Sequence, residues 1–169
     1  MDVIDAILTR RSIRKYTEQM VSDQQVEILL KAAMYAPSAV NKQPWHFIVF
    51  RNKLIAEKIA EFHPNSYMLR EASLGILVCF DEKLQHDNGY GELDCSAATQ
   101  NILLTAHGIG LGAVWIGIVP RKNRIASVKK VFNLPINIIP FALVAVGYPN
   151  EKRAFPERFR KDRIHFENW

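Results

Sequence analysis

The sequence predicts a sheet covered by helices on both faces, and three features of it do so. Four stretches are continuously apolar rather than alternating: "WHFIVF" (Trp45–Phe50), "GILVCF" (Gly75–Phe80), "AVWIGIV" (Ala113–Val119) and "FALVAVG" (Phe141–Gly147). Such runs mark strands buried on both sides. Segments of helical period lie between them, and at 169 residues the chain forms one domain, 1–169, with room for a sizeable core. Spacing alone suggests a parallel α/β sheet and leaves strand order open.

The elements follow in order. Val3, Ile4, Ile7 and Leu8 recur at helical spacing behind Asp2, a candidate N-cap. Ser22 and Gln25 make an S-x-x-Q capping box ahead of Val26, Leu29, Leu30 and Ala33 on one face. Pro37 disfavours helical geometry at Ala36 and ends that helix. The strand at Trp45–Phe50 follows, then a short helix marked by Ile55, Ile59 and Phe62, then the strand at Gly75–Phe80. Leu93 to His107 reads as a long helix with a small-residue face, Ser96, Ala97 and Ala98, and with Gly108 as its stop. The strand from Ala113 ends at Pro120, and Ile125, Val128 and Val131 mark a fifth helix before the last strand. Tyr148 to Trp169 is rich in arginine and aromatics and has no clear period. No repeat, linker or low-complexity tract interrupts the chain.

Composition narrows the function classes. Hydrophobic residues make up 49% and charged residues 23%, and the net charge is +5. That balance suits an anionic ligand but is too small to indicate nucleic acid. Cys79 and Cys95 form no CxxC pair and fit a reducing cytoplasm. Asp2 and Asp5 stand where an export signal would carry positive charge, and no apolar run approaches a membrane span. The expectation is a cytoplasmic protein without a membrane partner. His46, His63, His86, His107 and His165 show no metal-ligand interval, so no metal site is expected.

Three stretches can carry chemistry. "RRSIRKY" (Arg10–Tyr16) sets guanidinium forks beside a hydroxyl just past the first helix. Forks of this kind match phosphate oxygens, although a run of cations alone is equally a solvated surface. "APSAVNKQPWHF" (Ala36–Phe47) brackets Ser38, Asn41 and Gln43 between prolines ahead of a strand. Paired amide donors and acceptors suit the edge of a heterocycle; the plain alternative is a polar turn. "GIGLGAVWIG" (Gly108–Gly117) contains G-x-G-x-G, but it follows a helix and precedes a strand, the reverse of the dinucleotide fingerprint. Gly117, inside a strand, marks a close approach to the backbone.

Taken together, and with "DCSAATQNILLTAHGIGLGAVWIG" and the closing "GYPNEKRAFPERFRKDRIHFENW", these stretches resemble the FMN-dependent nitroreductases, in a short form. The resemblance runs through essentially the whole chain. It implies a nitroreductase-like α+β fold in place of the parallel guess: a mixed, mostly antiparallel sheet flanked by helices. The arm 148–169 would be exchanged between the subunits of a homodimer.

The resemblance also implies a site. FMN would lie in a cleft at the dimer interface, with Arg10, Arg11 and Ser12 on its phosphate and ribityl chain. Arg14 would face the ring, with Lys42 as an outside candidate. Pro37, Ser38, Ala39 and Asn41, with Gln43 as a weaker member, would reach the flavin from the partner chain. Backbone near Ile116 and Gly117 would lie beside the redox-active nitrogen, and Arg158 or Arg160 would complete the phosphate clamp. Asn65 is a further contact, and the neighbouring family lysine is replaced around Met68. Negative charge develops near N1 on reduction, so a fixed cation there stabilises the reduced ring. No catalytic side chain is then needed. The implied activity is ping-pong hydride transfer from NADH or NADPH to a small electron acceptor such as a nitroaromatic or quinone. Two other classes compete: a flavin-binding or storage module without turnover, and a basic nucleic-acid-binding domain, which the modest charge disfavours.

Overall fold

Strand pairing decides the topology. The computed structural model describes residues 1–169, and its sheet has the order β1 (Trp45–Phe50), β2 (Leu74–Asp81), β4 (Ile138–Gly147), β3 (Gly112–Gly117). All three pairings are antiparallel, so the parallel arrangement suggested by spacing is corrected. The apolar runs misled because two-sided burial is not confined to parallel sheets. Here helices lie on both faces of an antiparallel one. The α+β expectation holds, and the one parallel link is a bridge between Ser12 and Ala113 outside the named strands.

Side chains of β2 and β4 alternate between two cores. Leu74, Ile76, Val78 and Phe80 join Val144 and Val146 against α2 (Asp23–Met34) and α4 (Tyr90–Gly108), through Leu29, Ala33, Ala98 and Ile102. Leu77, Cys79, Leu143 and Ala145 face the other way, against α3 (Lys53–Phe62) and α5 (Lys122–Phe132), through Ala56, Ile59 and Val128. Both central strands are buried almost throughout.

Local chemistry sets the helix ends. Asp2 caps α1 (Val3–Thr9) by accepting from the Asp5 N–H at 2.8 Å. Ser22 and Gln25 close both halves of the capping box. The long helix α4 begins three residues before Leu93 and includes Gly108. Its stop is Gly110 instead, at φ 82°, where the Gly110 N–H donates to His107 O and the Leu111 N–H to Ala106 O. These paired bonds are a Schellman closure, which needs a left-handed residue one place beyond the cap. Both cysteines are free and buried, and burial pushes the Cys79 thiol up to about 12. No helix is long and apolar enough to cross a membrane.

Candidate functional site

The segment after α1 runs extended along the end of the sheet. Ile13 N–H donates to Ala113 O at 3.1 Å, and Thr17 N–H to Tyr148 O at 2.9 Å. Two glycines admit it. A β-carbon on Gly112 would fall 2.7 Å from the Ile13 side chain, and one on Gly147 2.8 Å from the Tyr16 ring. Tyr16 is buried and its hydroxyl donates to Ile13 O at 2.6 Å. Neighbours in an extended chain point to opposite sides. With Ile13 packed on Gly112, Ser12 and Arg14 turn away from it together.

Strand β3 is the outer strand on this side, and only part of its edge is covered. Because Ala113 O faces outward to Ile13, residues of the same parity, Trp115 and Gly117, also turn their backbone polar groups outward. A cleft of about 420 Å3 runs along this open edge. Arg14, Asn65, Tyr67 and Met68 line it together with Ile116 and Gly117 of β3. A β-carbon on Gly117 would meet nothing closer than Val119 O at 3.9 Å. No protein atom therefore requires a glycine there, and the space beside it is open.

Two residues that the sequence did not single out for this site complete it. Gly117 O accepts from Arg124 Nη1 at 2.9 Å and pairs with His63 Nε2 at 2.9 Å. A carbonyl only accepts, so His63 carries its proton on Nε2. Its Nδ1 is sealed from solvent and without a partner. Both residues line the cleft. Neither stands in a local motif: a lone histidine beyond α3 and an arginine inside a helix leave no readable signal.

The Pro37–Gln43 loop is shaped independently of any ligand. Val40, Asn41 and Gln43 all have positive φ (50°, 55° and 48°) although none is glycine. Strain of this kind concentrates at functional loops. Asp94 of α4 holds it by accepting from Ala39 N–H at 2.9 Å, Ser38 Oγ accepts from Gln43 N–H, and the Gln43 amide donates to Asn41. Pro37, Asn41, Lys42 and Gln43 are exposed, and Ser38 and Ala39 are half-buried.

The arginines divide by employment. Arg11 donates to the carbonyls of Leu8, Arg10 and Ala154 and stacks on Phe155 at 4.8 Å, fastening the N-terminal segment to the tail. Arg160 is paired with Asp162 in the exposed tail. Arg10 has neither a hydrogen bond nor an ion pair from its guanidinium; burial and the charges of Arg158 and Arg11 lower its pKa. Arg10 and Arg158 are thus neighbouring cations lacking an anion. His107 sits beside them, bonded through Nε2 to Thr9 Oγ1 at 2.8 Å, and its pKa is lowered by burial, Arg10 and Arg11.

The fold thus combines a strand-edge cleft, an arginine beside it with no side-chain partner, and a separate cluster of arginines lacking an anion. The sequence model of the Nitroreductase family matches residues 7–64 and 62–148. The chain belongs to this family. A Methanothermobacter thermautotrophicus protein is 47% identical over all of this chain and 88% of its own length. A solved structure from Parabacteroides distasonis superimposes with a TM-score of 0.94 at 38% identity, covering 99% of this chain and 98% of that one. Both are named "Putative NADH dehydrogenase/NAD(P)H nitroreductase". The structure of an FMN-dependent nitroreductase from Clostridium difficile R20291 has a TM-score of 0.90 at 27% identity, covering 98% of this chain and 99% of that one.

Proposed function

We propose that this chain is an FMN-dependent NAD(P)H oxidoreductase that works as a homodimer. The observation that carries the reading is the open edge of β3: a strand glycine that packing does not require, faced by an arginine with no side-chain partner. FMN fits the residues present, and when bound it supplies hydride acceptance and release in two half-reactions.

The chain's own groups have separable tasks. Arg14 offers a cation in the lining of the cleft, where charge on a reduced ring needs an opposite charge. The outward N–H groups of Trp115 and Gly117 offer donors to a ring edge, and Gly117 leaves the space for that ring. Arg10 and Ser12 bind the phosphate with Arg158, the tail arginine whose charge already reaches Arg10. Arg160, held by Asp162, is assigned to the tail, and Arg11 to fastening that tail. The Pro37–Gln43 loop, strained and largely exposed in one protomer, covers the ring bound by the partner. Asn65 adds a polar contact in the cleft wall.

Anaerobic mixing tests the activity. Protein loaded with FMN should lose its flavin absorbance on addition of NADH or NADPH and regain it with a quinone or nitroaromatic. Flavin that binds but stays oxidised with both nucleotides would identify a storage module instead.

A further inference from the structure

The cleft is more cationic than a flavin ring alone requires. Arg14 and Arg124 both line it, neither makes a salt bridge, and no aspartate or glutamate contributes to its lining. Arg124 spends one nitrogen on Gly117 O, which fixes the guanidinium at the end of β3 and leaves its other donors unused. Arg121 lies near enough, together with burial, to lower the pKa of Arg124. Both cations of the cleft lack a side-chain partner of opposite charge, and the nearby Glu151 is taken up by the Arg14 N–H and by Arg153. On the opposite side of the shared carbonyl, the buried His63 keeps an unpartnered Nδ1 in the same wall. A carbonyl gripped from two sides holds the guanidinium in one position, as a binding group requires.

We propose that Arg124 is a substrate-binding residue and that the ligand stacking at this mouth carries a negative group, a carboxylate or a phosphate. This rests on the oxidoreductase reading above and names the substrate class for that site. Two sources supply such a group: an acidic electron acceptor, or the pyridine nucleotide. The phosphate of FMN is a different case, because Arg10 and Arg158 form their own cluster.

The test begins with a redox-inert probe. Holoprotein is titrated with sodium benzoate and with neutral benzamide, followed by calorimetry and by the flavin spectrum. Benzoate should bind roughly tenfold or more tightly than benzamide in the wild type. Arg124→Gln should erase that difference, and Arg124→Lys should keep most of it. Equal affinity for the two probes in the wild type, or a preference that survives in Arg124→Gln, overturns the proposal. Loss of FMN from Arg124→Gln also overturns it, by assigning the residue to the cofactor.

Kinetics then identify the source. A roughly tenfold fall in kcat/KM for 4-nitrobenzoate relative to 4-nitrobenzamide in Arg124→Gln supports an acidic acceptor. A similar fall confined to flavin bleaching by NADH or NADPH supports the nucleotide. No change in either half-reaction overturns the proposal while leaving the oxidoreductase reading intact. Failure of the wild-type holoprotein to bleach overturns both.

Discussion

A β-carbon at position 117 has room in this protein, with Val119 O at 3.9 Å as its nearest neighbour and a backbone outside the left-handed region. Gly117→Ala should therefore fold as stably as the wild type, or about 0.5 kcal/mol more so, because alanine lowers the entropy of the unfolded chain. FMN should nevertheless bind roughly tenfold or more weakly, since the methyl group enters the ring's space. A thermal melt of the apoprotein and a flavin titration measure the two effects; unchanged affinity would remove Gly117 from the site. The arginines make a matched contrast. Arg10→Ala and Ser12→Ala should each weaken FMN, by about 1.5–3 kcal/mol for the charged contact, while riboflavin, which lacks the phosphate, binds as before. Arg11→Ala should spare FMN by comparison and expose the tail to protease, because its guanidinium holds Ala154 O and Phe155. If Arg11→Ala lowers FMN affinity as far as Arg10→Ala does, the division between them fails.

Local signals placed most of the elements. The capping box at Ser22, the proline after Ala36 and the apolar runs located α2, β1 and β2 because each acts within a few residues. Sheet topology was not legible from the spacing, since β2 pairs with β4 across more than fifty residues and nothing local encodes that. The same limit applied to the site. Arg10 to Arg14 stood in one short motif and could be read, whereas His63 and Arg124 meet only through Gly117 O, a contact made by three separate elements. Contact between elements also gives a pH dependence. His107, in the last turn of α4, bonds to Thr9 of α1, and burial with Arg10 and Arg11 lowers its pKa below 6.5. Below that value the unfolded chain binds more protons than the folded one, so stability rises with pH in this window and is lost as pH falls through it. Apoprotein denatured in urea at a series of pH values below 6.5 should show a falling midpoint toward acid, and His107→Gln a flatter one. Identical slopes would assign the dependence to other groups.

The proposed homodimer accounts for large apolar side chains that one protomer leaves in water. Val3, Ile4, Ile7 and Leu8, which carry the helical period of α1, are all more than half exposed, as are Tyr35 and Leu93. The pattern that predicted this helix thus has no core to face within its own chain. Helix α4 likewise leaves Leu93 in water and Ala97 and Leu104 only half-buried. Every residue from Lys152 to Trp169 is exposed, and beyond Phe155 the tail's hydrogen bonds and aromatic stacking are all internal to it. Phe159 and Phe166 stand largely in water, and Trp169 stacks on the tail's own His165 while staying fully exposed. The wild type should therefore sediment at twice the chain mass. Burying one such ring contributes about 1.5–3 kcal/mol, so truncation after Phe155 should raise the dimer dissociation constant at least roughly a hundredfold. Truncation also removes Arg158, so FMN affinity should fall with it. Arg158→Ala separates the two effects: it should weaken FMN as Arg10→Ala does while the dimer persists. A truncated chain that remains a tight dimer would mean that the arm holds the cofactor without joining the subunits, and the burden of dimerisation would then rest on α1 and α4.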